Sequence, residues 1–215
     1  MKNEVYTHLD TLIGRYPQLK PVRDDICGAF ELIKTCYENG GKLLVAGNGG
    51  SCADAEHIVG ELMKGFVLRR HISSDACDAL ISVDAEIGTK LAECLQGGLP
   101  AVALSSHTAL NTAFMNDVNG EMAYAQQLCS LGREGDVFLG ITTSGDAVNI
   151  QYAAVVAKAK GMKVIGLTGR DGGKLNALVD VNVIAPSHET YQIQELHLPI
   201  YHCLCLMLEA SFFED

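Results

Sequence analysis

Residues 42–57 read KLLVAGNGGSCADAEH. Leu43 to Ala46 form a short, wholly apolar run of strand length that stops at glycine, which is the signature of a strand buried on both faces. Gly47, Asn48, Gly49, Gly50 and Ser51 follow, and then a helix begins. Glycines in such a turn permit tight bending and close backbone approach, while the free amides of the helix's first turn can receive an anion. The spacing therefore predicts a phosphate-binding loop at Asn48, Gly49, Gly50 and Ser51, although an ordinary βα turn uses the same residue types. There is no Lys-Ser/Thr pair of a Walker A motif and no GxGxxG, which disfavours nucleoside triphosphates and dinucleotides and leaves a smaller phosphorylated ligand.

The same strand-then-turn pattern recurs at 99–105, 136–145, 162–169 and 179–186, giving five strands. Helical segments such as 147–160 lie between them, so the order is β-α-β throughout. The expectation is an α/β three-layer sandwich with a five-stranded, mainly parallel sheet. Residues 1–39 carry Leu9, Leu12, Ile13, Ile26, Phe30 and Ile33 at helical spacing, broken by Pro17 and Pro21, which fits two helices. Residues 63–98 are irregular and are expected to hold a short strand and a helix. The segment 190–213 is apolar nearly all round and reads as a helix buried on most faces. No repeat, low-complexity segment or linker divides the chain, so 1–215 is expected to be one domain.

The chain has 215 residues, 48% of them hydrophobic and 20% charged, a globular balance with enough length for a sizeable core. A net charge of -10 without any basic block would repel a phosphate backbone and argues against nucleic acid. No apolar run reaches the roughly 18 to 20 residues of a membrane span, and MKNEVYTHLD is too polar for a signal peptide. A cytoplasmic protein is expected. The eight cysteines are scattered without a CxxC pair and read as reduced thiols.

A second polar turn, ITTSGDAVN at 141–149, offers Thr142, Thr143 and Ser144 beside the next helix start. Turns at the carboxyl ends of parallel strands share one edge, so this loop and the first can converge on one ligand. Helix N-capping alone would also favour these residues. His57 and Glu61 lie four apart on the predicted helix and share a face, a spacing suited to a metal pair or an acid-base site as well as to a solvated polar pair. The apolar last helix contains Gln194, Glu195, His197 and His202, which should line a site, an interface or each other. Gln194 and His202 are separated by about 80° around a helix, so both are expected to point into one cavity and to meet His57 and Glu61 there.

AGNGGSCADAEHIVGEL at 46–62, TTSGDAVN at 142–149 and IQELHLPIYH at 193–202, in that order over nearly the whole chain, resemble the sedoheptulose 7-phosphate isomerase (phosphoheptose isomerase) branch of SIS-domain proteins. The resemblance implies a flavodoxin-like SIS fold, a homotetramer with sites between subunits, and conversion of sedoheptulose 7-phosphate to D-glycero-D-manno-heptose 7-phosphate through an enediol. Carried over, Glu61 looks like the base and His202 like its acid-base partner. His57, Glu61, Gln194 and His202 match the positions where some members hold zinc. Ser51, Thr142 and Ser144 look like phosphate ligands, with Asn48, Gly49, Gly50, Asn116, Asp117, Thr143 and Gln194 as further substrate contacts. Ala147 stands where the phosphate turn more often has serine, and 63–98 resembles an insertion near the site that bears on substrate choice. The alternatives are an isomerase of another sugar phosphate, or a non-catalytic SIS sugar-phosphate binder or adaptor.

Overall fold

The computed structural model describes residues 2–214, and the side chains from Val5 onward. Helices α1 (Lys2–Arg15) and α2 (Arg23–Glu38) are joined by a 3-10 turn at Pro17–Val22, as the prolines require. The strands are β1 (Leu43–Gly47), β2 (Ala101–Ala103), β3 (Val137–Ile141), β4 (Lys163–Gly169) and β5 (Val181–Ala185). The helices after β1 are α3 (Gly50–Met63), α4 (Ser74–Val83) and α5 (Ala85–Cys94); α6 (Thr108–Phe114) and α7 (Ala123–Leu131) follow β2. Helix α8 (Val148–Ala159) links β3 to β4, and α9 (Thr190–Phe212) is the last described helix.

All five strands pair in parallel in the order β2-β1-β3-β4-β5. Parallel sheets need both faces covered, and β1 and β3 are buried at every position. Alternation along β1 sends Leu43 and Val45 into the core beneath α1, α2, α3 and α9, and Leu44 and Ala46 into the core beneath α7 and α8. The chain steps from β1 outward to β2 and then back across β1 to β3. The carboxyl ends of β1 and β3 therefore form the switch point where open α/β sheets bind ligands.

The five expected strands are all present, with β2 trimmed to three residues because Leu104–Ser106 turn into a 3-10 helix. The segment 63–98 differs from expectation. It holds two helices, α4 and α5, and its strand-like content is a single antiparallel bridge between His71 and Gln96. Ser73 caps α4 by accepting from the Ala76 amide, and Asp84 caps α5 by accepting from Glu86 and Ile87. These two caps are the local signal that separates the helices.

Candidate active site

Two groups of polar residues stand at opposite ends of α3. The first is the sheet edge. The turn after β1 reaches the helix through Gly49, whose φ of +57° is a left-handed conformation. Ser51 is buried beneath the turn, and its amide donates to the Asn48 carbonyl at 3.1 Å. Asn48 and Asn149, which follow β1 and β3 respectively, exchange side-chain amide hydrogen bonds of 2.9 and 2.8 Å and tie the two loops together across the switch point. Tyr124 donates to the Gly47 carbonyl at 2.8 Å. Beside these groups lies a cavity of about 250 Å³ lined by residues including Asn48, Cys52, Ser105, Asn111, Tyr124 and Asn149.

Thr142 is buried at the end of β3, and Thr143 and Ser144 are half-buried in the turn that follows. The Ser144 Oγ accepts from the Asp146 amide at 3.1 Å, so this hydroxyl orders its own turn. Asn116 and Asp117 are exposed and bonded to each other at 2.8 Å; their neighbours Met115 and Gly120 line the cavity. Gln194 belongs to this end as well. Its Nε2 lies 2.7 Å from where a side chain on Gly50 would begin, against the first turn of α3.

The second group sits where the C-terminal half of α3 packs on α9. The His57 Nε2 lies 3.2 Å from the Glu61 Oε1, and Lys64 donates to the Glu61 Oε2 at 2.9 Å. The His57 ring meets that of His202 edge-on at 5.0 Å between centroids, and His202 also packs on Tyr201 and Phe66. The His202 Nε2 is shut off from solvent and has no hydrogen-bond partner. Burial, with the neighbouring His57 in second place, holds the His202 pKa below the ordinary histidine value, so this ring is neutral near neutrality. On the far side of His57, Nδ1 lies 3.0 Å from the Tyr201 hydroxyl, which donates to the Asp54 Oδ1 at 3.2 Å.

The C-terminal end of α3 is fixed by a buried ion pair. Arg70, at a left-handed φ of +48°, donates to the Glu61 and Leu62 carbonyls at 3.0 and 2.8 Å, groups that a helix end leaves without partners. Its Nε donates to the Glu209 carboxylate at 2.6 Å, and the same carboxylate accepts from the Phe66 and Val67 amides at 2.9 Å each.

Of the residues expected to meet in one cavity, His57, Glu61 and His202 come together, while the Gln194 side chain lies against the first turn of α3 at Gly50. Eight residues separate Gln194 from His202, which is about 12 Å of helix rise, so a favourable angle around the helix still leaves them two turns apart. Nor do the four polar residues of α9 form one group. Glu195 is exposed, while His197 is fully buried and its Nε2 lies 2.9 Å from the Thr168 carbonyl. Asp54, Tyr201, Arg70 and Glu209 were not singled out from the sequence. Asp54 carries a local signal, being three residues before His57 on one helix face. Arg70 and Glu209 are 139 residues apart and carry none.

Two imidazoles and a carboxylate are a donor set of zinc type, and the partnerless nitrogen of His202 is a free ligand position. As arranged, His57 Nε2 and Glu61 Oε1 engage each other, and among the described residues no group of three or more His, Cys, Asp or Glu side chains is set to hold a metal ion.

The strand order 2-1-3-4-5, with glycine- and hydroxyl-rich loops at its switch point, defines an α/β domain of doubly wound, flavodoxin-like topology. A model of the SIS domain matches residues 18–93 and 78–169, and the chain belongs to the SIS-domain family. Its relatives are more particular. A phosphoheptose isomerase of Geotalea daltonii is 37% identical over 215 residues, spanning 100% of this chain and 97% of the relative. One of Helicobacter hepaticus is 40% identical over 187 residues, 87% of this chain and 82% of the relative. The solved phosphoheptose isomerase of Neisseria gonorrhoeae superposes with a TM-score of 0.73 at 33% identity, covering 97% of this chain and 98% of that one. That of Francisella tularensis gives 0.75 at 32%, covering 97% of each. Homology of this extent makes the chain a phosphosugar isomerase. No helix among the described residues is long and apolar enough to cross a membrane.

Proposed function

We propose that the chain isomerises sedoheptulose 7-phosphate to D-glycero-D-manno-heptose 7-phosphate, with Glu61 as the base and His202 as the acid-base partner at the sugar oxygens. The observation that carries the reading is the separation of the two polar groups. From Gly50 to Glu61 α3 rises about 16 Å. An extended seven-carbon chain with a terminal phosphate ester is about 10 Å long at ordinary bond lengths. Hydrogen-bond distances of about 3 Å at each end make up the difference. A ketose phosphate whose carbonyl and phosphate lie at opposite ends suits such a site.

In this reading the phosphate is received by the Gly49–Ser51 turn and by Thr142, Thr143 and Ser144, with Asn48, Gln194, Asn116 and Asp117 contacting the sugar. Ala147 supplies no hydroxyl, and the backbone amides of the turn do its part. The Glu61 carboxylate removes a proton beside the carbonyl to give the enediol and returns it to the neighbouring carbon. Neutral His202 exchanges a proton with the oxygens as their charge develops. His57, Glu61 and His202 would hold zinc, which supplies a Lewis acid for the sugar oxygens when bound. Gln194 is left to the substrate.

We further propose a homotetramer with its sites between subunits and a cytoplasmic location, where a charged sugar ester is retained. The 63–98 segment then stands beside the site, since it starts within four residues of Glu61. The test is an NMR or coupled assay with sedoheptulose 7-phosphate, with and without added zinc. Appearance of the aldose phosphate is expected, with Glu61→Gln and His202→Gln each lowering turnover by about 10²- to 10⁴-fold while still binding ligand. Undiminished turnover in either variant overturns the assignment of roles. Silence from the folded wild-type protein overturns the substrate.

A further inference from the structure

The cavity of about 250 Å³ beside the switch point lies on the flank of α3 that carries Cys52 and Glu56, one helical turn apart. Cys52 and Glu61 are nine residues apart, half a turn around the helix axis, so the cavity and the Glu61 cluster stand on opposite flanks of α3. A substrate stretched from the Gly49–Ser51 turn to Glu61 does not pass through it. What the cavity can hold is set by the groups that its wall leaves unpaired. Tyr124 gives its only proton to the Gly47 carbonyl at 2.8 Å, so its oxygen is left as an acceptor. Asn111 uses both amide hydrogens on the Leu104 and Ser105 carbonyls, each at 3.1 Å, and its Oδ1 accepts from the Gln127 Nε2 at 2.8 Å, leaving one lone pair. Gln127 is buried, with Nε2 also on the Leu104 carbonyl at 2.9 Å and Oε1 2.6 Å from the His107 Nδ1. Neither amide can be turned end for end without setting oxygen against oxygen. The Ser105 hydroxyl donates to the Glu56 carboxylate at 3.3 Å and is likewise left as an acceptor. Asn48 and Asn149, paired amide to amide, each keep one N–H and one carbonyl lone pair.

The wall therefore offers acceptors at Tyr124, Asn111, Ser105, Asn48 and Asn149 and strong donors at the two paired asparagines alone, and no charged side chain lines it among the described residues. A phosphate dianion only accepts. It would meet three bare acceptors, with the Glu56 carboxylate behind Ser105 adding repulsion. An ammonium only donates, and would leave the free N–H groups of Asn48 and Asn149 unmet. A hydroxyl does both, and a run of hydroxyls on one carbon chain answers the whole wall. Its C–H edges are suited by Met115 and Ala123, which line the remainder. The volume equals that of about eight waters at about 30 Å³ each, room for a short hydroxylated chain. We propose that this cavity is a second site, for an uncharged polyol, recognised by Ser105, Asn111 and Tyr124. That the site is separate rests on the proposed course of the substrate from the turn to Glu61; the polyol chemistry does not. Because Asn48 belongs to both the cavity wall and the turn, an occupant here touches the frame of the phosphate loop without entering it.

Cys52 lines the cavity and reports on its occupancy, while the exposed Cys94 on α5 serves as an internal reference. Alkylation by iodoacetamide, followed at each cysteine by peptide mass spectrometry, is run with unphosphorylated sedoheptulose and, separately, with inorganic phosphate. Sedoheptulose is expected to slow the reaction of Cys52 and not that of Cys94, and inorganic phosphate is expected to slow neither. In Ser105→Ala, and independently in Tyr124→Phe, the sedoheptulose concentration for half-protection should rise about 2- to 10-fold, the worth of one hydrogen bond. Ser105→Ala keeps the test open where loss of the Gly47 contact disturbs the turn in Tyr124→Phe. The KM for sedoheptulose 7-phosphate should stay within about twofold in both variants, since the substrate takes the other flank. Absence of protection in the wild type overturns the proposal, as does equal protection by inorganic phosphate or protection that both variants leave unchanged. A KM that rises in step with the half-protection concentration overturns the separate site, because the cavity then holds the substrate's own chain. Protection with the expected variant response but no turnover leaves the polyol site standing and removes the isomerase reading.

Discussion

Helix α9 and the α4–α5 hairpin are both rich in apolar residues, and the fold treats them in opposite ways. In α9, Ile193, Ile200, Tyr201, Cys205, Met207 and Leu208 are almost wholly buried. In α4 no residue is buried, and in α5 only Gly88 is. The two helices of the hairpin pack on each other, and Val83, Ile87 and Leu95 face solvent. Apolar content states what a helix can bury; neighbours decide whether it does. Helix α9 has α1, α2, α3 and the sheet around it, so the polar groups it carries inward, Tyr201, His202 and Glu209, are held in fixed places. The charged groups of the hairpin, Asp75, Asp78, Asp84, Glu86, Lys90 and Glu93, are all exposed.

The largest effect that would sharpen this contrast lies at Glu209. Its carboxylate satisfies two amides and Arg70, and Arg70 in turn closes the end of α3 at Glu61 and Leu62. Glu209→Ala leaves the guanidinium buried without its counter-charge, and chemical denaturation should show a loss of about 3 to 5 kcal/mol. Turnover should also drop, since the backbone of Glu61 loses its anchor. A loss under about 1 kcal/mol would break the view that α9 sets the end of α3.

Next comes an acid response belonging to α9. His197 is fully buried, and burial lowers its pKa to about 4. Above about pH 6.5 the ring is neutral in both the folded and the unfolded chain and does not bias folding. Below that, the unfolded chain takes up a proton that the folded chain refuses until about pH 4. Stability should therefore fall across that window, by about 3 kcal/mol in all from this group, and no further below it. Denaturation midpoints of wild type and His197→Gln, compared at pH 7 and pH 4.5, should show the variant losing less. Equal losses would mean that the ring is not held neutral.

The same contrast explains how much could be read from the sequence. The five strands were legible because each apolar run ends in a glycine or a polar turn, and the pairing of His57 with Glu61 was legible because four residues make one helical turn. The place of Gln194 against the first turn of α3 was not legible, because an angle around a helix carries no information about the distance along it. Arg70 and Glu209 were invisible: a left-handed arginine and a glutamate 139 residues later are joined only by the packed structure. Tyr201 was hidden for a different reason. In an apolar helix its ring reads as core, and only the structure shows the hydroxyl aimed between Asp54 and His57. The segment 63–98 was read as a short strand and a single helix, although Ser73 and Asp84 cap two helices there, and neither of those helices carries a buried stripe.

The smallest expected effect concerns that missing stripe. Val83 is 88% exposed and Ile87 58% exposed. Exchanging either for serine removes almost no buried area, so each should change unfolding free energy by no more than about 0.5 kcal/mol. Gly88 is the opposite case within the same hairpin. A side chain there would run into the Leu80 carbonyl, so Gly88→Ala should force α4 and α5 apart while leaving the sheet intact. Helical content measured by circular dichroism should fall without a matching fall in the midpoint of global unfolding. A cost above about 1.5 kcal/mol for Val83→Ser would break the comparison with α9, because it would mean that the hairpin's apolar face is covered in solution by something outside its own chain. Dilution distinguishes this case, since stability drawn from a second copy falls with protein concentration and stability drawn from within the chain does not.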